Sequence, residues 1–564
     1  MEATILNKEV NAAVNADNPE SAKKPAAASG AKGKLTKTEK PPAEKKRRTS
    51  SEKSKSSGDS VAKKAKDKPL KSKSEKPSKP DMLPDTGEVE TNPPVKVLIA
   101  SSEGAPFITT GSMGHAVGAL PWALRDTNRN IDARVVLPLY SEIEQRFHTQ
   151  LEFIGNIEVG LAWREQNWGV YSATYDGIKY YFLDNKRYFG RESCYGYFDD
   201  GERFAYFCKA VFAMLELVDF VPDILHAHDW QTALIPIYLR TIFSYPDVKS
   251  VMTIHSTEYQ GRYNPDILLD IFSLRREDMG LVEFNGEINL LKGAIVACDE
   301  LTTVSPTYAD EIQRDGGYGL EPILAFYSDK LTGIIDGVDT RHYDPAVDRT
   351  LFQTYTPDTI ENKAANKKEL QRKFNLPIAP RKMLICMVSR LIARKGIDLI
   401  TYIVDDLVKM DVQLLILGTG EHEHELHFME MAMTHKDNVS VNIAYNPDIE
   451  KMIYAGADAM LMPSRNEACG MAQMVACRFG TVPIARATGG LRDTIRDYRD
   501  GEGNGFLFEE YSAGALLDTI GAARDLFIYH EEDWKALVRA AMLSDFSWIR
   551  SANEYIDIYL RALN

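Results

Sequence analysis

Between residues 95 and 564 the chain is punctuated by short apolar runs that stop abruptly on a glycine or a polar side chain. Val95–Ala100 opens the series, followed by a loop with Gly104, Gly111 and Gly114, a helical stretch from Val117 to Arg125 and a second run, Ala133–Leu139. Runs of this length predict buried strands, and strand, glycine loop, helix, strand is a βαβ unit with a right-handed crossover. The pattern continues through Ile224–Ala227, a helix over Ala233–Phe243, Val251–His255 and Leu301–Ser305. After Asp336–Asp339 the chain turns loop-rich as far as Pro357 and helical from about Asn362 to Phe374, which reads as an interdomain connection. A second series alternates with helical segments: Met383–Val388, Gln413–Gly418, Val439–Asn442, Ala459–Met462 and Val482–Ala485. The fold class expected is α/β, with two doubly wound Rossmann-like domains facing across a cleft. In open sheets of this kind ligands sit beyond the carboxyl ends of the strands, which singles out Glu103, His226, His228, Asp229, His255 and Ser305.

Composition changes this picture at one end. Residues 21–80 carry 20 Lys and Arg against 6 Asp and Glu, no aromatic residue, and only Leu35, Val61 and Leu70 as branched aliphatics. Such a stretch buries too little apolar surface to offset its conformational entropy, so residues 1–94 are expected to form a disordered tail. Its Glu44–Arg48 run fits a nuclear signal or a patch for a polyanion or protein partner, and equally a solvated low-complexity extension. The net charge of the whole chain is −14, and without that window 47 basic residues face 75 acidic ones. A body so acidic is a poor candidate for wrapping nucleic acid. No run approaches the roughly eighteen apolar residues that span a bilayer, and MEATILNKEV has no apolar signal segment. A cytoplasmic protein without membrane association is expected. Cys194, Cys208, Cys298, Cys386, Cys469 and Cys477 lie far apart without CxxC spacing and read as free thiols in a reducing interior. The expected division is then a tail over 1–94, a first unit over 95–340, a connection over 341–380, a second unit over 381–545 and a closing helix in 546–564.

Candidate chemistry clusters where the strands end. Val388–Gly396 places Arg390 and Lys395 just after the first strand of the second unit, where a planar fork and a point charge suit an anion; loop cations are also simply solvated. Met462–Met471 and Ala487–Asp493 each combine a strand end, glycine and a following helix, a setting for a pyrophosphate on backbone N–H groups. Glu467, on the loop before its helix, fits a carboxylate that accepts from sugar hydroxyls or one that caps the helix. In the first unit, His226–Trp230 and Thr253–Ser256 bring polar side chains to neighbouring strand ends. Zinc is a weak reading there, because neither pair has helical His spacing and no cysteine joins them.

Taken in order, Ser101–Glu103, Thr110–Gly111, Gly118–Pro121, Ala133–Pro138, HAHDW from His226, YQG from Tyr259, NLLKGAI from Asn289, TTVSPTYADEI from Thr302, GIIDGVDT from Gly333, VSRLIARKG from Val388, PSRNEACGM from Pro463, ATGGLRDT from Ala487 and NGF from Asn504 resemble the bacterial and plastid type of glycogen/starch synthase. The closing Asp545–Trp548 and its helix are similar too. The resemblance covers residues 95–564 and implies a GT-B fold. It further implies retaining transfer of glucose from a nucleotide sugar, usually ADP-glucose, to the nonreducing 4-hydroxyl of an α-1,4-glucan, with no cofactor and no metal. It carries over catalytic roles to Arg390 and Lys395, which neutralise the departing diphosphate, to Glu467, which holds the transferred glucose, and to His255, which contacts that glucose. Gly111, Asn289, Ser389, Cys469, Gly470, Thr488, Gly489, Gly490 and Leu491 fall on the donor side, and Glu103, Asp229, Tyr259 and Gln260 on the acceptor and sugar side. The final helix is expected to pack back on the first unit.

The departures cluster in the first unit. The family pattern Lys-Thr-Gly-Gly-Leu-Ala-Asp reads Thr109-Thr110-Gly111-Ser112-Met113-Gly114-His115 here, so the expected lysine is Thr109. Loss of a buried ammonium forfeits a contact of about 1.5–3 kcal/mol, roughly ten- to a hundredfold in the step it serves. Ser112 adds bulk where glycine allows close approach, His115 replaces an aspartate, and Gln231 and Ser256 stand for the usual His and Asn. In the second unit only Asn466 and Ala468 depart, from Phe and Pro. These changes leave two alternatives, a transferase with another donor or acceptor and a glucan-binding paralogue with little turnover.

Overall fold

The computed structural model describes residues 93–444 and 446–564; the tail expected over 1–94 lies, but for its last two residues, outside them. In chain order the first unit holds β1 (Val95–Ala100), β2 (Ile131–Pro138), β3 (Glu152–Leu161), β4 (Arg164–Tyr175), β5 (Ile178–Asp184), β6 (Ile224–His228) and β7 (Lys249–Ile254). Three short strands follow, β8 (Arg262–Tyr263), β9 (Glu283–Phe284) and β10 (Glu287–Asn289), and then β11 (Glu300–Thr303) and β12 (Leu331–Gly333). The main sheet runs β12-β11-β7-β6-β1-β2-β5-β4-β3, parallel as far as β5 and then antiparallel through the β4–β3 hairpin. The second unit holds β13 (Leu384–Val388), β14 (Gln413–Gly418), β15 (Val439–Ile443), β16 (Ala459–Met462), β17 (Val482–Arg486) and β18 (Phe506–Phe508), all parallel, in the order β15-β14-β13-β16-β17-β18.

Both sheets reverse direction of winding next to their first strand. β1 pairs with β2 on one side and β6 on the other, and β13 with β14 and β16. At such a switch point the following loops part in opposite directions and leave a crevice beyond the strand ends. The two crevices are lined by the residues after β1 and β6, and by those after β13 and β16. The strand interiors are nearly all buried, as parallel strands covered on both faces must be.

The segment over 341–380 is folded onto the second unit. Its helix Lys363–Lys373 packs on the helix Pro447–Gly456. The buried Lys363 ammonium donates to the carbonyls of Tyr454 and Ala455, each at 2.9 Å, to that of Phe479 at 3.1 Å and to the Thr481 hydroxyl at 2.9 Å. It thereby closes the carboxyl ends of two helices, Pro447–Gly456 and Ala472–Arg478, where a cation is favoured. Burial pulls its pKa down to about 7.

The last helix, Trp548–Leu563, returns to the first unit. Trp548, Ala552, Tyr555, Ile556 and Tyr559 recur at helical spacing and are buried, and the helix packs on Ser112–Asp126 and on β7. The chain is fastened on re-entry by Val338 N–H donating to the Phe546 carbonyl at 2.7 Å and by Ser551 Oγ donating to that of Ile335 at 2.6 Å. A cavity of about 220 Å³ sits at this crossing, lined by Val338, Thr340, Met474, Arg478 and Met542 among others, away from the strand-end crevices.

Candidate functional site

In the first unit the strand ends carry two sets of buried, hydrogen-bonded polar groups. His226 Nδ1 is hydrogen-bonded to the Tyr559 hydroxyl at 2.9 Å and Nε2 to Thr253 Oγ1 at 2.6 Å, which continues to Thr302 Oγ1 at 2.6 Å. His228 Nδ1 meets His255 Nε2 at 2.9 Å. Burial pushes His226 and His255 down to about 3 and His228 well below its ordinary value, so all three rings are neutral at physiological pH. His228 Nε2 and His255 Nδ1 are buried without a protein partner, which leaves hydrogen-bonding capacity in the crevice.

Asp229, directly after β6, adopts φ +56°, a left-handed conformation uncommon outside glycine and asparagine-like residues. There its carboxylate accepts from the backbone N–H of His255 at 2.7 Å, tying the ends of β6 and β7 together. Burial raises its pKa to about 7. Glu103 is buried beyond β1: it accepts from the Thr110 N–H, from the Thr110 hydroxyl at 2.9 Å and from the Tyr195 hydroxyl at 3.0 Å. Its carboxylate shapes the loop that ends at Gly111, while Thr109, Gly111 and Ser112 are exposed. Gln260 and Asn289 are also buried and bonded to each other, with Asn289 Nδ2 donating to Gln260 Oε1 at 2.7 Å. Asn289 Oδ1 caps the next helix by accepting from Lys292 N–H at 3.0 Å, so both amides serve the fold first. Tyr259, 60% exposed, stands free beside them.

The second unit presents charge instead. Lys395 forms an ion pair with Glu467, whose Oε2 also accepts from Ser464 Oγ at 2.9 Å. Burial works to raise the Glu467 pKa, and Lys395 with the Ser464 hydroxyl outweighs it, so the carboxylate is held below its usual range. The two loops meet because Gly396, at φ +74°, lets the backbone pass Pro463 where a Cβ would lie 2.0 Å from the carbonyl oxygen. Arg390 is exposed with no side-chain partner among the described residues, and Ser389 Oγ donates to its carbonyl at 3.1 Å. Across the cleft Arg394 faces Glu258 of the first unit at 3.7 Å. Cys469 is buried, and Gly470 follows at φ +78° ahead of the helix Ala472–Arg478.

At Thr488, Gly489, Gly490 and Leu491 the backbone N–H groups expected to face a donor, and the Thr488 hydroxyl, have partners inside the protein. Thr488 Oγ1 and Gly489 N–H donate to Glu311, Gly490 N–H to the carbonyls of Glu467 and Ala468, and Leu491 N–H to that of Thr488. The glycines instead permit close approach: at Gly489, φ +43°, a Cβ would lie 1.9 Å from the Glu467 carbonyl oxygen. The turn is therefore a buttress behind the Glu467 loop. The contacts from Glu311 and Tyr559 left no signal in the sequence, because each joins residues more than a hundred positions apart.

The comparisons bear on this geometry. The family described as starch synthase catalytic domain matches residues 96–326, and the one described as glycosyl transferases group 1 matches residues 368–525. A glycogen synthase of Geobacillus thermodenitrificans is 43% identical over 476 residues, covering 82% of this chain and 97% of that protein. The chain belongs to the glycogen synthase family. As a member of the glycogen synthase family it is a hexosyltransferase on the GT-B fold, as the sequence resemblance implied. A glycogen synthase of Bacillus cereus is 41% identical over 475 residues, 82% of this chain and 99% of its own. Among solved structures, the catalytic domain of starch synthase IV from Arabidopsis thaliana, bound to ADP and acarbose, superposes with TM-score 0.77 at 30% identity, over 84% of this chain and 100% of that one. Sucrose-phosphate synthase from Thermosynechococcus elongatus, at 16% identity and TM-score 0.53, shares the fold.

Proposed function

We propose that the protein is a glycogen/starch synthase that transfers glucose from ADP-glucose to the nonreducing 4-hydroxyl of an α-1,4-glucan with retention of configuration. The observation that carries this reading is the pairing of Lys395 with Glu467 beside Arg390, which has no side-chain partner among the described residues, opposite a crevice of the neutral His228 and His255 rings and the Asp229 carboxyl. A diphosphate entering at the ends of β13 and β16 meets Arg390 and competes with Glu467 for Lys395. The two cations then stabilise the charge that develops on the leaving group, and Glu467 is released to accept from hydroxyls of the transferred glucose. The free ring nitrogen of His255 is suited to a neutral sugar hydroxyl, and Ser389, Cys469 and Gly470 border the donor from the second unit. Tyr259 lies on the acceptor side. Support for the adenine nucleotide comes from the starch synthase IV structure, which holds ADP. All six cysteines are buried and unpaired, in keeping with a cytoplasmic setting, and no helix among the described residues is long and apolar enough to cross a membrane.

A second reading, another donor or acceptor, is favoured by the uncharged, exposed Thr109–Ser112 loop. Glucosyl transfer onto glycogen from ADP-glucose and from UDP-glucose, with the anomeric configuration of the product read by NMR, separates the two. Transfer from ADP-glucose into new α-linkages, raised less than about tenfold by Thr109→Lys, supports the synthase. Transfer from neither donor, together with rescue by Thr109→Lys, shows a degenerate donor site; glycogen binding without transfer in both proteins overturns the reading.

A further inference from the structure

The helix Pro306–Glu311 begins beyond the end of β11 and packs on the helix Gly489–Thr494 of the second unit. Three side chains at this helix bond the facing loops. Ser305 Oγ donates to the Ala468 carbonyl at 2.6 Å. Thr307 donates to the Asp493 carboxylate through its N–H at 2.9 Å and its hydroxyl at 2.6 Å. Glu311 Oε1 accepts from the Thr488 hydroxyl at 2.9 Å and from the Gly489 N–H at 3.0 Å. The turn that Glu311 holds is in contact with the Glu467 loop: Gly490 N–H lies 3.2 Å from the carbonyls of both Glu467 and Ala468. Turn and loop are too close to shift independently, given the approach of Gly489 to the Glu467 carbonyl.

We infer that Glu311 is a positioning residue for glucosyl transfer: reaching from the first unit, it fixes the Thr488–Gly490 turn, and through it the place of the Glu467 carboxylate relative to His255 and Asp229 across the cleft. This rests on the role proposed for Glu467. A carboxylate that accepts a backbone N–H at the start of a helix makes a strong, directional bond. The other oxygen, Oε2, is buried with no partner among the described residues, whereas buried polar atoms are ordinarily paired. Displacement of a reacting geometry by about 1 Å costs on the order of a hundredfold in rate, which gives the positioning its leverage.

The test compares Glu311→Ala, Glu311→Gln and Thr488→Val in the full chain, with kcat and donor KM measured on ADP-glucose and glycogen at a temperature where circular dichroism shows every variant folded. Glu311→Ala is expected to lower kcat about ten- to a hundredfold with donor KM moved less than about threefold, because the phosphate-facing cations are untouched. Glu311→Gln, whose amide oxygen can accept from the same two donors, recovers most of the loss, and Thr488→Val adds little to Glu311→Ala. A kcat for Glu311→Ala within about twofold of the unsubstituted chain overturns the inference, as does a loss confined to KM. So does a Gln variant as impaired as the Ala variant. If the unsubstituted chain transfers no glucose, the functional reading has failed, and the clamp is then judged by hydrogen exchange at Gly489 and Gly490. Faster exchange in Glu311→Ala upholds the clamp, and unchanged exchange removes it.

Discussion

On the first unit's side of the cleft the buried histidines are neutral and held by hydrogen bonds, whereas on the second unit's side the polar groups are charged and only partly matched. His226 lies buried in a network with Thr253, Thr302 and Tyr559, and His228 and His255 form a buried pair beside it. Arg390 stands in solvent with no side-chain partner among the described residues, and Lys395 holds a carboxylate that a stronger anion can displace. A sugar hydroxyl needs preformed hydrogen-bonding geometry, and a diphosphate needs charge not already neutralised. The difference teaches that substitutions in the two halves should fail differently: in the first by loss of stability and altered pH dependence, in the second by loss of turnover in a folded protein.

The sharpest break of this comparison is Arg390→Ala. Removing this exposed guanidinium is expected to lower kcat by about a hundred- to a thousandfold while Tm stays put, as read by steady-state transfer and calorimetry. A fall in Tm of the same variant would show that Arg390 belongs to the fold. Lys363→Met tests the converse, a cation of the connecting segment that packs on the second unit. It leaves the carbonyls of Tyr454 and Ala455 without their ammonium donor, at a cost of roughly 2–4 kcal/mol in denaturant unfolding, with kcat per folded molecule preserved.

Asp336, where the chain leaves the first unit, sharpens the pH side. Burial, with Asp229 nearby, raises its pKa to about 8 from an ordinary 3.8. Between these values the unfolded chain has released a proton that the folded protein keeps, so stability from this group falls as pH rises and levels off above 8. The buried His226 and His255, pushed from 6.5 to about 3, act with the opposite slope, losing stability as pH falls from 6.5. Above pH 6.5 the histidines no longer oppose the carboxyl. Asp336→Asn should therefore raise Tm, by an amount that grows from pH 5 to pH 8; a gain independent of pH would show that Asp336 is ionised in the fold. The smallest effect expected is that of Tyr559→Phe, which removes the hydroxyl on His226 and costs about 1 kcal/mol by chemical denaturation.

Much of the fold was legible because parallel strands buried on both faces leave continuous apolar runs. Val95–Ala100, Gln413–Gly418 and Ala459–Met462 coincide with strands to the residue. The β3–β4 hairpin was not: Ile157, Val159 and Leu161 alternate inward, but exposed Phe153 and Ile154 ahead of them and the glycines and charges of both strands break any continuous apolar run. At the site, Glu467 and Lys395 were legible as types on facing loops, but their ion pair was not, being 72 positions apart. Glu103 stood out as a polar residue at a strand end, and Gln260 and Asn289 through the resemblance alone. That their side chains chiefly hold loops and helix caps became visible only once their partners were placed.

The return of the final helix has a consequence for synthesis. Tyr559, five residues from the end of the chain, supplies the hydroxyl that completes the His226 network, and Trp548 packs on the backbone at Gly337, where the chain left the first unit. The first unit's half of the cleft is translated early, yet these partners in the closing helix emerge only after the whole second unit. A chain stalled ahead of the closing helix would then carry every residue of the cleft and still lack the hydroxyl that meets His226 and the packing of Trp548 at Gly337.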